Sequence, residues 1–114
     1  YNVYDIGYKD INLGDVCEKG GQLRPNIVWF GEPVPLMTDA AMITGNADVF
    51  IVVGTSLVVY PAASLIDYVK GETWKYIIDP NKPNVYGIHK NLIFVTEKAT
   101  IGTVQLVEKL LNNK

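Results

Sequence analysis

The chain has 114 residues, 48% of them hydrophobic and 19% charged, enough for one domain that buries about two-thirds of its unfolded surface. Lys and Arg number 10 against 12 acidic residues, a net charge of −2 with no basic run, which excludes strong binding to a nucleic-acid backbone. The longest apolar tract, residues 47–63, is broken by Asp48, Gly54, Thr55, Ser56 and Pro61; it falls short of the ~20 apolar residues of a membrane span, so no membrane partner is expected.

Residues 1–22 are punctuated by Gly and Asp (Asp5-Ile6-Gly7, Leu13-Gly14-Asp15, Gly20-Gly21) and read as a small irregular lobe. Its expected packing residues are Tyr1, Val3, Tyr4, Ile6, Tyr8, Ile11 and Leu13. Cys17 is the one cysteine of the sequence, so no internal disulfide can form, and a reducing, cytoplasmic setting is expected. No signal-peptide pattern opens the chain. It begins at Tyr1 rather than Met, from which an excised or incomplete piece is expected.

From residue 23 the pattern changes. Ile27-Val28-Trp29-Phe30, stopped by Gly31, predicts a short strand buried on both faces. Thr38 to Gly45 predicts a helix capped by Thr38 or Asp39. Asp48 to Val53 is β-branched and predicts a strand ending at Gly54. Pro61 is expected to open a second helix, with Ala62, Ala63, Leu65, Ile66 and Val69 as its packing residues and Lys70-Gly71 closing it. Lys75 to Ile78 and Leu92 to Val95 predict two more strands. A last helix is expected to pack through Val104, Val107, Leu110 and Leu111.

This alternation predicts an α/β fold, a parallel sheet with helices on its faces spanning residues 23–114. Such sheets bind ligands at the carboxyl ends of their strands. Those ends are Gly31-Glu32, Gly54-Thr55-Ser56, Asp79-Pro80-Asn81 and Thr96-Glu97-Lys98-Ala99. At the first, free backbone beside a glycine and an aromatic suits an extended peptide docking by strand addition. At the second, Gly54 permits close backbone approach, and Thr55 and Ser56 add hydroxyl groups. At the third, Asp79 can accept both hydroxyls of a ribose.

Leu23-Arg-Pro-Asn-Ile-Val-Trp-Phe-Gly-Glu32, followed by Gly54-Thr-Ser-Leu-Val-Val-Tyr-Pro-Ala-Ala63, resembles the substrate-side and nucleotide-side signatures of the sirtuins, the NAD-dependent protein-lysine deacylases. The similarity runs from about Gly20 to the end. It implies the C-terminal half of a Rossmann-like sheet and a parent enzyme that transfers an acyl group from lysine to ADP-ribose with release of nicotinamide. The Val28 carbonyl would accept the acyl-lysine amide proton, Phe30 would line the acyl-lysine tunnel, and Gly31 and Glu32 would pair with the substrate backbone. Val59 would close the tunnel's other side. Gly54, Thr55 and Ser56 would contact the dinucleotide, Asp79, Pro80 and Asn81 its adenosine ribose, and Ala99 its adenine. Asp79 departs from the family's usual Asn.

The resemblance also marks absences. Sirtuins hold zinc with two Cys-x-x-Cys pairs, but here Gly20 stands where the partner of Cys17 would be, so no zinc is expected. The family's glycine-rich loop and catalytic histidine precede the stretch that this chain resembles. His89 matches no catalytic motif and is expected at the surface, so no catalytic residue is assigned. These 114 residues alone are expected to be inactive, to expose apolar surface, and either to self-associate or to pair with an N-terminal half. A non-catalytic module binding ADP-ribose or a peptide is the alternative. The cofactor domain of an unrelated α/β oxidoreductase would leave Trp29 to Glu32 unexplained.

Overall fold

Val49–Val53, Trp74–Ile78 and Leu92–Val95 are runs of β-branched, aromatic and other apolar residues, and they form strands β1, β2 and β3 of a three-stranded parallel sheet in the order β1-β2-β3. The register sets Val53 against Ile78 and Ile78 against Val95, so all three strands finish side by side. The computed structural model describes residues 2–112 and divides into two compact units, Tyr1–Val34 and Pro35–Lys114. The sheet lies in the second unit. This division by packing falls later in the chain than the change of composition at residues 22–23.

In the second unit, α1 (Met37–Gly45) precedes β1. Its expected side-chain N-cap is absent; Leu36 occupies that position, while Asn46 closes the other end by donating from Nδ2 to the Met42 carbonyl at 3.0 Å. Between β1 and β2 the expected helix breaks into a 3₁₀ turn, Ala62–Ser64, and the four-residue α2, Leu65–Tyr68. The Ser64 hydroxyl bonds the Pro61 carbonyl at 2.7 Å, competing with a regular helical ladder. So short a helix has little dipole to offer a ligand near Pro61. No helix connects β2 to β3; residues 79–91 cross over as an irregular loop.

The core consists of Tyr76 and Ile78 of β2 against Leu106 of α3 (Ala99–Asn112), with Ile93, Val95 and Leu110 packed around them. The buried stripe of α3 is Gly102 and Leu106, continued by half-buried Leu110 at the same four-residue spacing. Val104, Val107 and Leu111, expected in the core, face outward at 42–62% exposure. The helix is apolar on two sides, and Gly102 decides which one meets the sheet. A Cβ there would come within 2.6 Å of Ile78 Cγ2, so only glycine lets the helix seat this closely.

At the opposite end of the strands, Lys75 is 2% exposed. Its ammonium donates to the carbonyls of Thr73 (2.9 Å), Lys70 (3.1 Å) and Lys90 (3.2 Å), with Gly71 at 3.5 Å. One side chain thereby ties the β1–β2 connection to the end of the β2–β3 loop. His89 is not the surface residue expected: its side chain is 10% exposed, Nε2 lies 2.8 Å from the Tyr86 carbonyl, and Asp67 Oδ1 is at 3.6 Å.

The first unit is mostly irregular, pinned by an antiparallel bridge between Val16 and Gln22 around a tight Cys17–Gly21 turn. Gln22 spans it, its side chain accepting from Gly14 N and donating to the carbonyls of Asn12 and Leu23. The expected apolar packing does not form: Val3, Tyr4, Tyr8 and Leu13 are exposed, Ile6 and Ile11 are half-buried, and Tyr1 lies outside the described residues. The expected strand at Ile27–Phe30 is also absent, because no neighbouring strand pairs with it; the segment has no regular structure and ends in a turn at Phe30-Gly31.

Candidate functional site

The three sheet strands bring three of the expected strand ends to one edge of the second unit. Gly54 N donates to the Ile78 carbonyl at 2.9 Å, and Asp79 N to the Val95 carbonyl at 3.2 Å, so the chain segments leaving the three strands remain neighbours just beyond the sheet. Gly54 has φ +62° and open space where a Cβ would stand, which leaves its backbone open to close approach. Thr55 Oγ1 accepts from Leu57 N at 3.2 Å, keeping its hydroxyl proton to donate. Asp79 is half-buried, and its Oδ1 accepts from Asn81 N at 2.8 Å, which holds the carboxylate at the start of the loop and leaves its second oxygen available. Pro80 and Asn81 are exposed beside it. Ala99 opens α3, whose first turn is closed by the Lys98 carbonyl accepting from Ile101 N and Gly102 N. Hydroxyls, a carboxylate and an unobstructed backbone on one sheet edge form a donor set that fits the sugars and phosphates of a dinucleotide. Val59 belongs to this unit and is 55% exposed.

The first unit holds Val28, Phe30, Gly31 and Glu32. Trp29 and Glu32 close a tight loop on each other: Glu32 N donates to the Trp29 carbonyl at 3.1 Å, and Trp29 N donates to Glu32 Oε2 at 3.0 Å. Arg24 faces the same carboxylate fork to fork: Nη2 donates to Oε2 at 3.0 Å, and Nη1 is ion-paired with Oε1 at 3.0 Å. The Trp29 N–H and then the Arg24 guanidinium hold the Glu32 carboxyl below its ordinary value of 4.5. Phe30 stands at the tip, 94% exposed, followed by Gly31 at φ +86°. Among the described residues, the backbone groups of Val28, Phe30 and Gly31 carry no hydrogen bond, which leaves them open to an added strand. Arg24 is not among the expected site residues; the sequence marks its pairing only by opposite charge eight residues before Glu32, inside the same motif.

Among the described residues no three His, Cys, Asp or Glu side chains converge, and Cys17 is a free thiol. An open cavity of about 530 Å³ lies within the first unit between Tyr4, Ile6, Ile11, Cys17 and Leu23. No helix among the described residues is long and apolar enough to cross a membrane.

A parallel sheet with helices packed on it and polar groups gathered at its carboxyl edge defines a Rossmann-like α/β unit. The sequence profile of the Sir2 family matches residues 4–61, and the chain belongs to that family. It is 43% identical over 103 residues to an NAD-dependent protein deacylase of Helicobacter pylori, covering 90% of this chain and 44% of that relative. The backbone is similar to that of a Sir2 homologue in complex with NAD, with a TM-score of 0.72 at 36% identity over 92% of this chain and 42% of the other. It is also similar to a Sir2 bound to acetylated peptide, with a TM-score of 0.65 at 26% identity over 83% and 41% of the two chains. The chain thus spans less than half the length of the relatives it matches.

Proposed function

We propose that these residues form part of an NAD-dependent protein-lysine deacylase, supplying its acyl-lysine peptide groove and its adenosine-side NAD contacts. The observation that carries the reading is the convergence of Gly54, Thr55 and Asp79 on one sheet edge, in a chain of a family whose relatives are named NAD-dependent deacylases. NAD, when bound, supplies the sugar that receives the acyl group as nicotinamide leaves. Gly54 admits the cofactor's backbone-facing side, Thr55 and Ser56 offer hydroxyl donors, and Asp79 accepts from ribose hydroxyls. Pro80 and Asn81 shape that loop, and Ala99 gives adenine a small apolar contact.

On the peptide side, the Val28 carbonyl accepts the amide proton of the acyl-lysine. Gly31 and the Glu32 carbonyl offer backbone groups to the substrate strand; the Glu32 N–H is already committed to Trp29. Phe30 supplies an apolar wall for the acyl chain. No residue here is assigned as the base, since His89 is engaged with Tyr86 and Asp67 at the far end of the sheet from Gly54 and Asp79. Cytoplasmic location and association through exposed apolar surface belong to the same proposal. Val49, Ile51 and Val53 on the sheet's edge strand, Met42 and Ile43 on α1, and Val104 and Leu111 on α3 are all exposed.

A deacetylation assay tests the reading. The complete gene product carrying these residues is expected to release nicotinamide from NAD in step with loss of acetyl groups from an acetyl-lysine peptide. The 114 residues alone are expected to show none. Peptide or ADP-ribose binding without turnover by the complete product would favour a non-catalytic module instead, and turnover by the 114 residues alone would contradict the assignment of the base elsewhere.

A further inference from the structure

We propose that Arg24 is a positioning residue for the acyl-lysine peptide: its fork on Glu32 sets the Trp29–Glu32 loop so that Phe30 and the free backbone of Val28 and Gly31 face the substrate. The inference rests on the deacylase reading and deepens it.

The geometry carries the argument. The Glu32 carboxylate accepts hydrogen bonds from Arg24 Nη2 and Trp29 N and is ion-paired with Arg24 Nη1, while Glu32 N returns a bond to the Trp29 carbonyl. The loop's two ends are therefore tied reciprocally, and everything between them is its apex. That apex is Phe30, 94% exposed, and Gly31 in the left-handed region. On the deacylase reading Phe30 is the apolar wall beside the acyl chain, so the device that holds the apex sets where that wall stands. The Arg24 and Glu32 side chains are each 38% exposed, and a half-exposed ion pair contributes little to stability. What the pair does supply is direction. A guanidinium fork fixes the plane of the carboxylate, and that plane aims Oε2 at Trp29 N. The ammonium of a lysine makes no such planar match.

Steady-state kinetics of the complete gene product with an acetyl-lysine peptide separates positioning from plain stabilisation. Arg24→Gln and Arg24→Lys are each expected to raise the peptide KM about tenfold, the scale of losing hydrogen bonds to a charged group. The KM for NAD is expected to stay within about twofold, since Arg24 lies in the other compact unit from Gly54 and Asp79. Combining Arg24→Gln with Glu32→Gln is expected to cost no more than the worse single change, because both break one device. A peptide KM at the wild-type value in Arg24→Lys would overturn the proposal, showing that charge suffices without the fork. So would equal losses in the peptide and NAD constants, the mark of general damage. A wild-type protein without acyl-peptide turnover would overturn the deacylase reading and this inference with it; an active wild type with unmoved peptide KM in both variants would overturn this inference alone.

Discussion

Replacing Lys75 with methionine is expected to destabilise the sheet-bearing unit by about 3 kcal/mol, the scale of leaving buried acceptors without a donor. Methionine keeps most of the stem's volume, so the loss isolates the ammonium rather than a cavity. The carbonyls of Lys70, Thr73 and Lys90 would lose their shared donor at the point where the β1–β2 connection meets the β2–β3 loop. Against a typical total of ~5–15 kcal/mol this is a large fraction. Urea unfolding should show a lower midpoint with an unchanged slope. The returning end of the 79–91 loop should also exchange its amides faster, because Lys90 is held there by Lys75. A midpoint equal to the wild type's would mean that water satisfies those carbonyls as well as the ammonium does.

Gly102→Ala separates two opposing effects by sign. If α3 were loosely seated, alanine would stabilise the helix by about 1 kcal/mol. Here a Cβ would stand 2.6 Å from Ile78 Cγ2, 3.1 Å from Glu97 Cβ and 3.2 Å from Val95 Cγ1. Ile78 is fully buried in the central strand and cannot retreat, so overpacking at about 1–3 kcal/mol should win and the variant should be less stable. Gly102→Val, with more bulk and a smaller propensity gain, should lose more. The displaced helix start would carry Ala99 away from the carboxyl edge, weakening NAD binding in the complete protein. A stabilised Gly102→Ala would contradict the helix-on-sheet packing described above.

The strands were legible because β-branched runs such as Val49 to Val53 have few alternatives, and their polar ends followed from the direction of a parallel sheet. Ile27 to Phe30 has the same local character and forms no strand. Periodicity records what a segment could bury but not whether a partner edge lies beside it. The face of α3 was misjudged for a related reason: large apolar residues lie on two sides, and the one that packs is chosen by the smallest residue, Gly102. Lys75 gave no warning at all, since a lysine beginning a strand ordinarily reaches water; its burial depends on carbonyls contributed by two separate loops. In the candidate site, the placement of Gly54, Thr55 and Asp79 at the strand ends could be read, because that position follows from the direction of the parallel sheet. The Arg24–Glu32 fork could not, because it needs the turn at Phe30-Gly31 to fold the chain back.

The most direct test is a crystal structure of the complete gene product with an acetyl-lysine peptide and NAD bound together. The predicted result has the substrate amide on the Val28 carbonyl, the peptide running beside Gly31 and Glu32, and the adenosine ribose on Asp79 with the dinucleotide against Gly54 and Thr55. Well-ordered ligands that leave the Val28 carbonyl and the Gly54-to-Ser56 segment untouched would contradict it.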